Sequence, residues 1–213
     1  MNQALKKLYK RRSFGIKPGL DAERAMLSKL GNPQEEFLVV HVAGTNGKGS
    51  VCALLSSILR TAGYTVGLYT SPHLVRFNER IRVDDQEIGD DELAGVLDKI
   101  ECVAADVARD MGQEPTFFEC ATAMAFKYFK EQDVRIAVVE TGMGGRLDAT
   151  NVLTPLISVI TRISLEHTMY LGNDVEAVAL EKCGIIKKGR PVVCGIMDAL
   201  AHNMVKRSAL EKR

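Results

Sequence analysis

Residues 37–50, FLVVHVAGTNGKGS, constrain this chain more than any other stretch. Phe37 to Val42 is a short apolar, β-branched run, the pattern of a strand buried on both faces. It passes through Ala43 and a glycine-rich turn into a helix whose Val51, Leu54, Leu55, Ile58 and Leu59 recur at helical spacing. Ala62-Gly63 ends that helix. A glycine-rich turn between a buried strand and a helix is the setting of a phosphate loop. Glycines let the backbone curl so that several N–H groups point inward, and the helix adds its positive N-terminal end. Lys48 supplies a mobile cation for the β- and γ-phosphates. Gly44, Thr45, Asn46, Gly47, Lys48, Gly49 and Ser50 are therefore the candidate nucleotide-binding residues. The loop departs from the common pattern of glycine, four residues, then Gly-Lys-Ser/Thr: Val42 stands where the first glycine would be, and Gly49 follows Lys48. The magnesium-binding hydroxyl that usually follows the lysine is missing. Either Ser50 replaces it or a residue elsewhere holds the metal.

Strands and helices alternate along the rest of the chain. Thr65 to Tyr69, Val134 to Val139, Leu156 to Ile160 and Pro191 to Cys194 read as further strands, and Ile81 to Ile88 as a small hairpin. Asp90 is placed to cap a helix with Leu93, Val96, Leu97, Ile100 and Val103 on one face. Pro115 opens another, apolar at Phe117, Phe118, Ala121, Met124, Ala125 and Tyr128. Asp174 caps a helix to about Lys187, and Ala199 to Arg213 is helical. This order predicts an α/β fold, a mostly parallel doubly wound sheet with helices on both faces. The formal net charge of +1 excludes binding of nucleic acid by bulk charge. No apolar run approaches the ~18–20 residues of a membrane helix, and the N-terminus lacks a secretory core. The five cysteines form no CxxC pair and read as reduced thiols in the cytoplasm.

Polar clusters follow the other strands: Thr70-Ser71-Pro72-His73, then Glu140 to Asn151, then Ser164-Leu165-Glu166-His167. In an open parallel sheet the loops beyond the strand C-termini form the ligand crevice. A hydroxyl and a carboxylate there suit magnesium, which prefers oxygen ligands. Each residue also has a plainer reading. Ser71 before proline is a turn residue by default, and a lone His167 a capping or surface histidine. His41 reads as a satisfied core histidine, and Arg146 with Asp148 as a surface ion pair. Lys182 reads as a solvated lysine unless the apolar turn of its helix buries it. Burial would favour the neutral amine, which reacts with carbon dioxide to give a carbamate.

Taken in order, FGIKPGLDAERAMLSKLGNP, HVAGTNGKGSV, GYTVGLYTSPHLVRFNERI, TFFECATAMAF, VVETGMGGRLDATN, LEHTMYLG and EKCGIIKKGRPVV resemble the ATP-binding part of the folylpolyglutamate synthase family, within the Mur ligase superfamily. The resemblance implies an ATP-dependent ligase that adds L-glutamate to the γ-carboxyl of a folate, and also to dihydropteroate in bifunctional members, serving folate biosynthesis and one-carbon metabolism. It implies that Ser71 and Glu140 hold a first magnesium ion, that His167 serves a second, and that Lys182 is carbamylated and bridges to it. Lys48, His167 and Lys182 are then catalytic. Gly19, Leu20, Asp21, Thr116, Phe117, Phe118, Glu119, Arg146, Leu147 and Asp148 match the family's pterin-binding segments.

The family's members are about twice as long, with a C-terminal domain that completes the glutamate site. Residues 1–213 are accordingly expected to be an ATP-binding domain incomplete at its C-terminal end, inactive alone, from a monomeric full-length enzyme. The rival readings are a Mur-type amide ligase for another substrate, and a nucleotide-binding module without ligase activity. GTPase-type switches carry an Asn-Lys-x-Asp segment, and none occurs here.

Overall fold

The computed structural model describes residues 3–15 and 19–213; Ile16 to Pro18, within the first family-like segment, lie outside them. In chain order the elements are α1 (Gln3–Lys10), α2 (Asp21–Lys29), β1 (Leu38–Ala43), α3 (Lys48–Thr61), β2 (Val66–Tyr69), β3 (Ile81–Val83), β4 (Gln86–Glu87) and α4 (Asp90–Met111). There follow α5 (Phe117–Glu131), β5 (Ile136–Glu140), β6 (Ile157–Ile160), α6 (Thr168–Leu171), α7 (Val175–Cys183), β7 (Val192–Cys194) and α8 (Ala199–Glu211). The strands form one sheet in the order β4-β3-β2-β5-β1-β6-β7. Only the β2–β3 and β3–β4 pairings are antiparallel. The expected doubly wound α/β sheet is therefore present.

Period-two alternation sorts the strand side chains between two layers. Val39, Tyr69, Ala137 and Val139 join the larger core under α2, α4 and α5. Val40, Val42, Val66, Leu68, Ile136 and Val138 face α3 on the other side. A third core joins Ile160 to α7 and α8. The apolar residues of α3 do not act as one face. Val51, Leu55 and Leu59 pack on the sheet, whereas Leu54 and Ile58 are 64% and 63% exposed.

Helix ends differ from expectation where a neighbour supplies the cap. Gly89, not Asp90, is the cap of α4, and its N–H donates to Glu92. α5 begins after Thr116, whose hydroxyl accepts from the Glu119 N–H. Asp174 does cap α7, accepting from the Ala177 N–H. That helix stops at Cys183, because Ile185 and Ile186 turn into the core.

The ligand edge of the sheet is set by β1, which lies between β5 and β6. The chain crosses over β5 to reach β2, and later over β1 to reach β6. The C-terminal ends of these four parallel strands thus release their loops on one edge of the sheet, at the reversal where open α/β sheets bind ligands.

Candidate active site

The loop between β1 and α3 is fixed by the segment after β6. The Thr45 N–H donates to Arg162 O at 2.7 Å, and the Thr45 hydroxyl donates to Ser164 O at 2.9 Å. The Thr161 hydroxyl donates to Asn46 O at 2.8 Å. Gly44 has φ +152°, and a Cβ there would stand 1.8 Å from Thr161 Oγ1, so no larger residue fits. Gly47, at φ +83°, opens α3 without a side-chain cap, and the first turn holds no acidic residue. The positive end of the helix is thereby left for an anionic ligand. Lys48 folds back, its Nζ 3.0 Å from Gly44 O and 3.3 Å from Thr45 O. Ser50 lies exposed in the first turn.

Lys182 reaches the same loop from α7. It is buried, and its Nζ donates to Gly44 O at 2.9 Å and to the Glu166 carboxylate. Burial lowers its pKa, and Glu166 opposes that shift. The solvated-lysine reading fails, because the apolar packing of α7 carries the side chain inward.

Glu140, at the end of β5, is 4% exposed. Its Oε2 accepts from the Ser71 N–H at 3.1 Å. A Cβ on Gly49 would lie 3.8 Å from that oxygen, so the carboxylate stands beside the first turn of α3. Burial raises the Glu140 pKa, against the pull of the Ser71 N–H and Lys48. The Ser71 hydroxyl and the Glu140 carboxylate are hard oxygen donors next to the glycine-rich loop, a set that fits magnesium. His167 is exposed, with φ +44°, at the start of α6. Among the described residues no three His, Cys, Asp or Glu side chains converge to hold a metal.

A cavity of about 640 Å³ adjoins Ser71. Gly19, Thr116, Phe117, Phe118, Glu119, Arg146, Leu147, Asp148 and His167 all line it. Leu20 and Asp21 do not; they cap and begin α2. Thr116 and Glu119 close the N-terminus of α5, with Glu119 Oε2 accepting from the Thr116 N–H at 2.6 Å and its hydroxyl at 2.7 Å. Asp148 holds the wall together. Its Oδ2 accepts from the N–H groups of Gly142 and Met143, each at 2.9 Å. Its Oδ1 accepts from the Thr150 N–H at 3.1 Å and hydroxyl at 2.5 Å. Burial raises the Asp148 pKa, and these four bonds oppose the shift. The expected Arg146–Asp148 ion pair is absent: Arg146 pairs with Glu181 instead, at 2.7 Å. Gly184 permits this approach, since a Cβ there would lie 2.3 Å from Arg146 Cα. His41 is only half satisfied. Its Nε2 meets Thr150 Oγ1 at 2.8 Å, Nδ1 has no partner, and burial lowers its pKa to about 3.

Residues 42–212 match the Mur ligase middle domain. The chain belongs to the Mur ligase family. Among curated relatives it is 42% identical over 203 residues to dihydrofolate synthase/folylpolyglutamate synthase of Bacillus subtilis, covering 95% of this chain and 47% of the relative. It is 44% identical over 182 residues to folylpolyglutamate synthase of Lacticaseibacillus casei, covering 83% of this chain and 42% of that protein. It superposes on the FPGS-AMPPCP complex with a TM-score of 0.91 at 38% identity, covering all of this chain and 52% of that one. With E. coli FolC in complex with DHPP and ADP the TM-score is 0.89 at 36% identity, over 99% and 50% of the two chains. The chain thus spans about half the length of the curated relatives it matches.

Sequence reasoning missed three groups that this Mur ligase domain brings to its cavity. Glu181 was hidden because its partner Arg146 lies 35 residues away. Tyr170 joins the wall from α6, a helix too short to show a period. Arg80 is buried and lines the cavity beside Ser71. The one signal for it was an arginine standing directly before the apolar start of β3. All five cysteine thiols are unpaired, and no described helix is long and apolar enough to cross a membrane.

Proposed function

We propose that this chain carries the nucleotide and acid-substrate sites of a ligase that joins L-glutamate to the γ-carboxyl of a folate, and to dihydropteroate, at the expense of ATP. The observation that carries the reading is the adjacency of three parts: the open end of α3, the Ser71–Glu140 pair and the cavity beyond it. Relatives of the same fold hold AMPPCP with folate, or ADP with DHPP. The cavity suits a flat heteroaromatic acid. Phe117, Phe118 and Leu147 offer apolar and aromatic faces, while the Glu119 carboxylate, engaged by Thr116 through Oε2, offers its other oxygen to a ring N–H group.

The chemistry is activation of a carboxylate. A substrate carboxylate oxygen attacks the γ-phosphorus, the bond from that phosphorus to the β,γ-bridging oxygen breaks, and ADP leaves with the electron pair. The glutamate amine then attacks the acyl carbon, phosphate departs and the amine proton passes to solvent. Phosphoryl transfer leaves side chains mainly positioning and charge neutralisation. Lys48 and the first N–H groups of α3 bind and orient the β- and γ-phosphates. Ser71 and Glu140 would hold a magnesium ion, which supplies neutralisation of the phosphate charge. At the place of a second ion, Lys182 is engaged by Gly44 O and Glu166, and His167 stands exposed.

The unpaired cysteines support a cytoplasmic enzyme, in which the thiols stay reduced. Incorporation of labelled glutamate into tetrahydrofolate and dihydropteroate, with ATP and magnesium, tests the reading. It is assayed with the 213-residue chain and with any longer polypeptide containing it. The expected result is product from the longer polypeptide, lost in Lys48→Ala, and none from the short chain. Absence of product from both, with folding and nucleotide binding intact, would refute the folate assignment.

A further inference from the structure

Arg80 is a buried cation without a direct ion-pair partner, the Glu140 carboxylate acting on it only from beyond contact distance. It is 5% exposed, and among the described residues no carboxylate lies within ion-pair distance of it. The other buried basic side chains differ: Arg11 pairs with Glu101 and Glu114, and Lys182 with Glu166. Among the described residues the Arg80 side chain makes one hydrogen bond, from Nε to His73 Nδ1 at 2.7 Å. Its guanidinium otherwise rests against aromatic rings, 5.4 Å from the centre of Phe117 and 5.8 Å from that of Phe77. Burial lowers its pKa, yet an arginine remains charged. A desolvated charge of this kind is costly unless something in the working protein pairs with it.

The geometry says what that partner is. Arg80 lines the cavity next to Ser71, whose N–H binds Glu140 beside the first turn of α3. No residue of the phosphate loop lines this cavity. Because Nε is taken by His73, the edge left for a ligand is the pair of Nη groups, a planar fork that matches two oxygens of one carboxylate. His73 is the positioning residue. Its Nδ1 accepts from Arg80 and its Nε2 meets the Tyr9 hydroxyl at 3.3 Å, which fixes the guanidinium plane.

We propose that Arg80 receives the carboxylate of the acid substrate through its two Nη groups and holds it at the end of the cavity where the γ-phosphoryl group arrives. This rests on the reading of the cavity as the acid-substrate site. It adds a specificity rule, that a ligand with a neutral group in place of the carboxylate is rejected.

The test is binding by the 213-residue chain in the presence of AMPPCP and magnesium. The probes are dihydropteroate and the analogue in which its carboxylate is replaced by a carboxamide. Wild type should prefer the acid. In Arg80→Gln the acid should bind about 30-fold more weakly or worse. The amide should bind within two-fold of wild type, and AMPPCP affinity should be unchanged. Arg80→Lys, which keeps the charge and loses the fork, should fall between. Equal affinity of wild type for acid and amide overturns the proposal even if Arg80→Gln does not fold, and so does a folded Arg80→Gln that keeps the preference; in both cases the cavity remains a pterin site. Loss of AMPPCP affinity with the preference intact would reassign Arg80 to the phosphoryl group and overturn it too. Binding of neither probe to wild type would remove the folate reading itself, and the proposal with it.

Discussion

Gly44→Ala puts the tightest point of the phosphate loop under test. The added methyl would lie 1.8 Å from Thr161 Oγ1, where nothing can remain. Turning the hydroxyl away does not solve the problem, because Thr161 Cβ and N would still lie 3.0 and 3.2 Å from the methyl. The displaced hydroxyl also gives up its one proton, shared between Asn46 O at 2.8 Å and Ala43 O at 3.3 Å. That shared bond contributes about 1 kcal/mol. Holding alanine at φ +152° adds about 1–3 kcal/mol of backbone strain. The sum, about 2–4 kcal/mol, is a large part of the ~5–15 kcal/mol that holds a domain together. Urea unfolding followed by circular dichroism should therefore show a midpoint lowered by about 1–2 M. AMPPCP binding should weaken in whatever fraction stays folded. Thr161→Ala removes only the hydroxyl, so the two substitutions together should cost less than the sum of each alone. A Gly44→Ala chain within about 0.5 kcal/mol of wild type, with additive behaviour, would refute this account of the loop.

The same contacts give three further expected outcomes. Lys48→Ala should abolish nucleotide binding and leave stability within about 0.5 kcal/mol, because Lys48 bonds only to carbonyls of its own loop; calorimetric titration beside urea unfolding separates the two effects. Glu23 is buried with both oxygens unpartnered, and burial, with Glu119 and Asp148 nearby, raises its pKa well above 4.5. The folded chain then keeps a proton that the unfolded chain releases, so stability falls as pH rises from 4.5 towards the raised value; Glu23→Gln should flatten that fall between pH 5 and 8, and an unchanged slope contradicts the reasoning. Lys182→Met should cost about 1–3 kcal/mol in urea unfolding, the penalty for leaving Gly44 O and Glu166 without their donor.

The strand, glycine-rich turn and helix around residues 37–50 are legible in the sequence because their determinants are local. A β-branched run, closely spaced glycines and a lysine at a helix mouth fix strand, turn and helix within residues 37–50, whatever packs around them. The parallel sheet is legible in the alternation of strand and helix. The cavity is legible only as a set of loops on one edge. Asp148 is one tether for Gly142, Met143 and Thr150, which no pattern in the segment announces. Arg146 takes a partner other than the expected one because the approach of α7 depends on Gly184, 38 positions later. Beyond its place directly before β3, Arg80 gives no sign of its role in the sequence, because the lack of an ion-pair partner shows only when every carboxylate has a place. The period of α3 likewise cannot tell that the sheet covers Val51, Leu55 and Leu59 but not Leu54 and Ile58.

The central claim is that one edge of this sheet binds a nucleoside triphosphate through the loop 44–50, with a metal held by Ser71 and Glu140. Calorimetric titration of the chain with AMPPCP, with and without magnesium, tests it most directly. The account predicts one site per chain, tighter with magnesium, absent in Lys48→Ala and no longer magnesium-dependent in Glu140→Ala. Binding that is indifferent to magnesium in wild type, or that survives in Lys48→Ala, would contradict it.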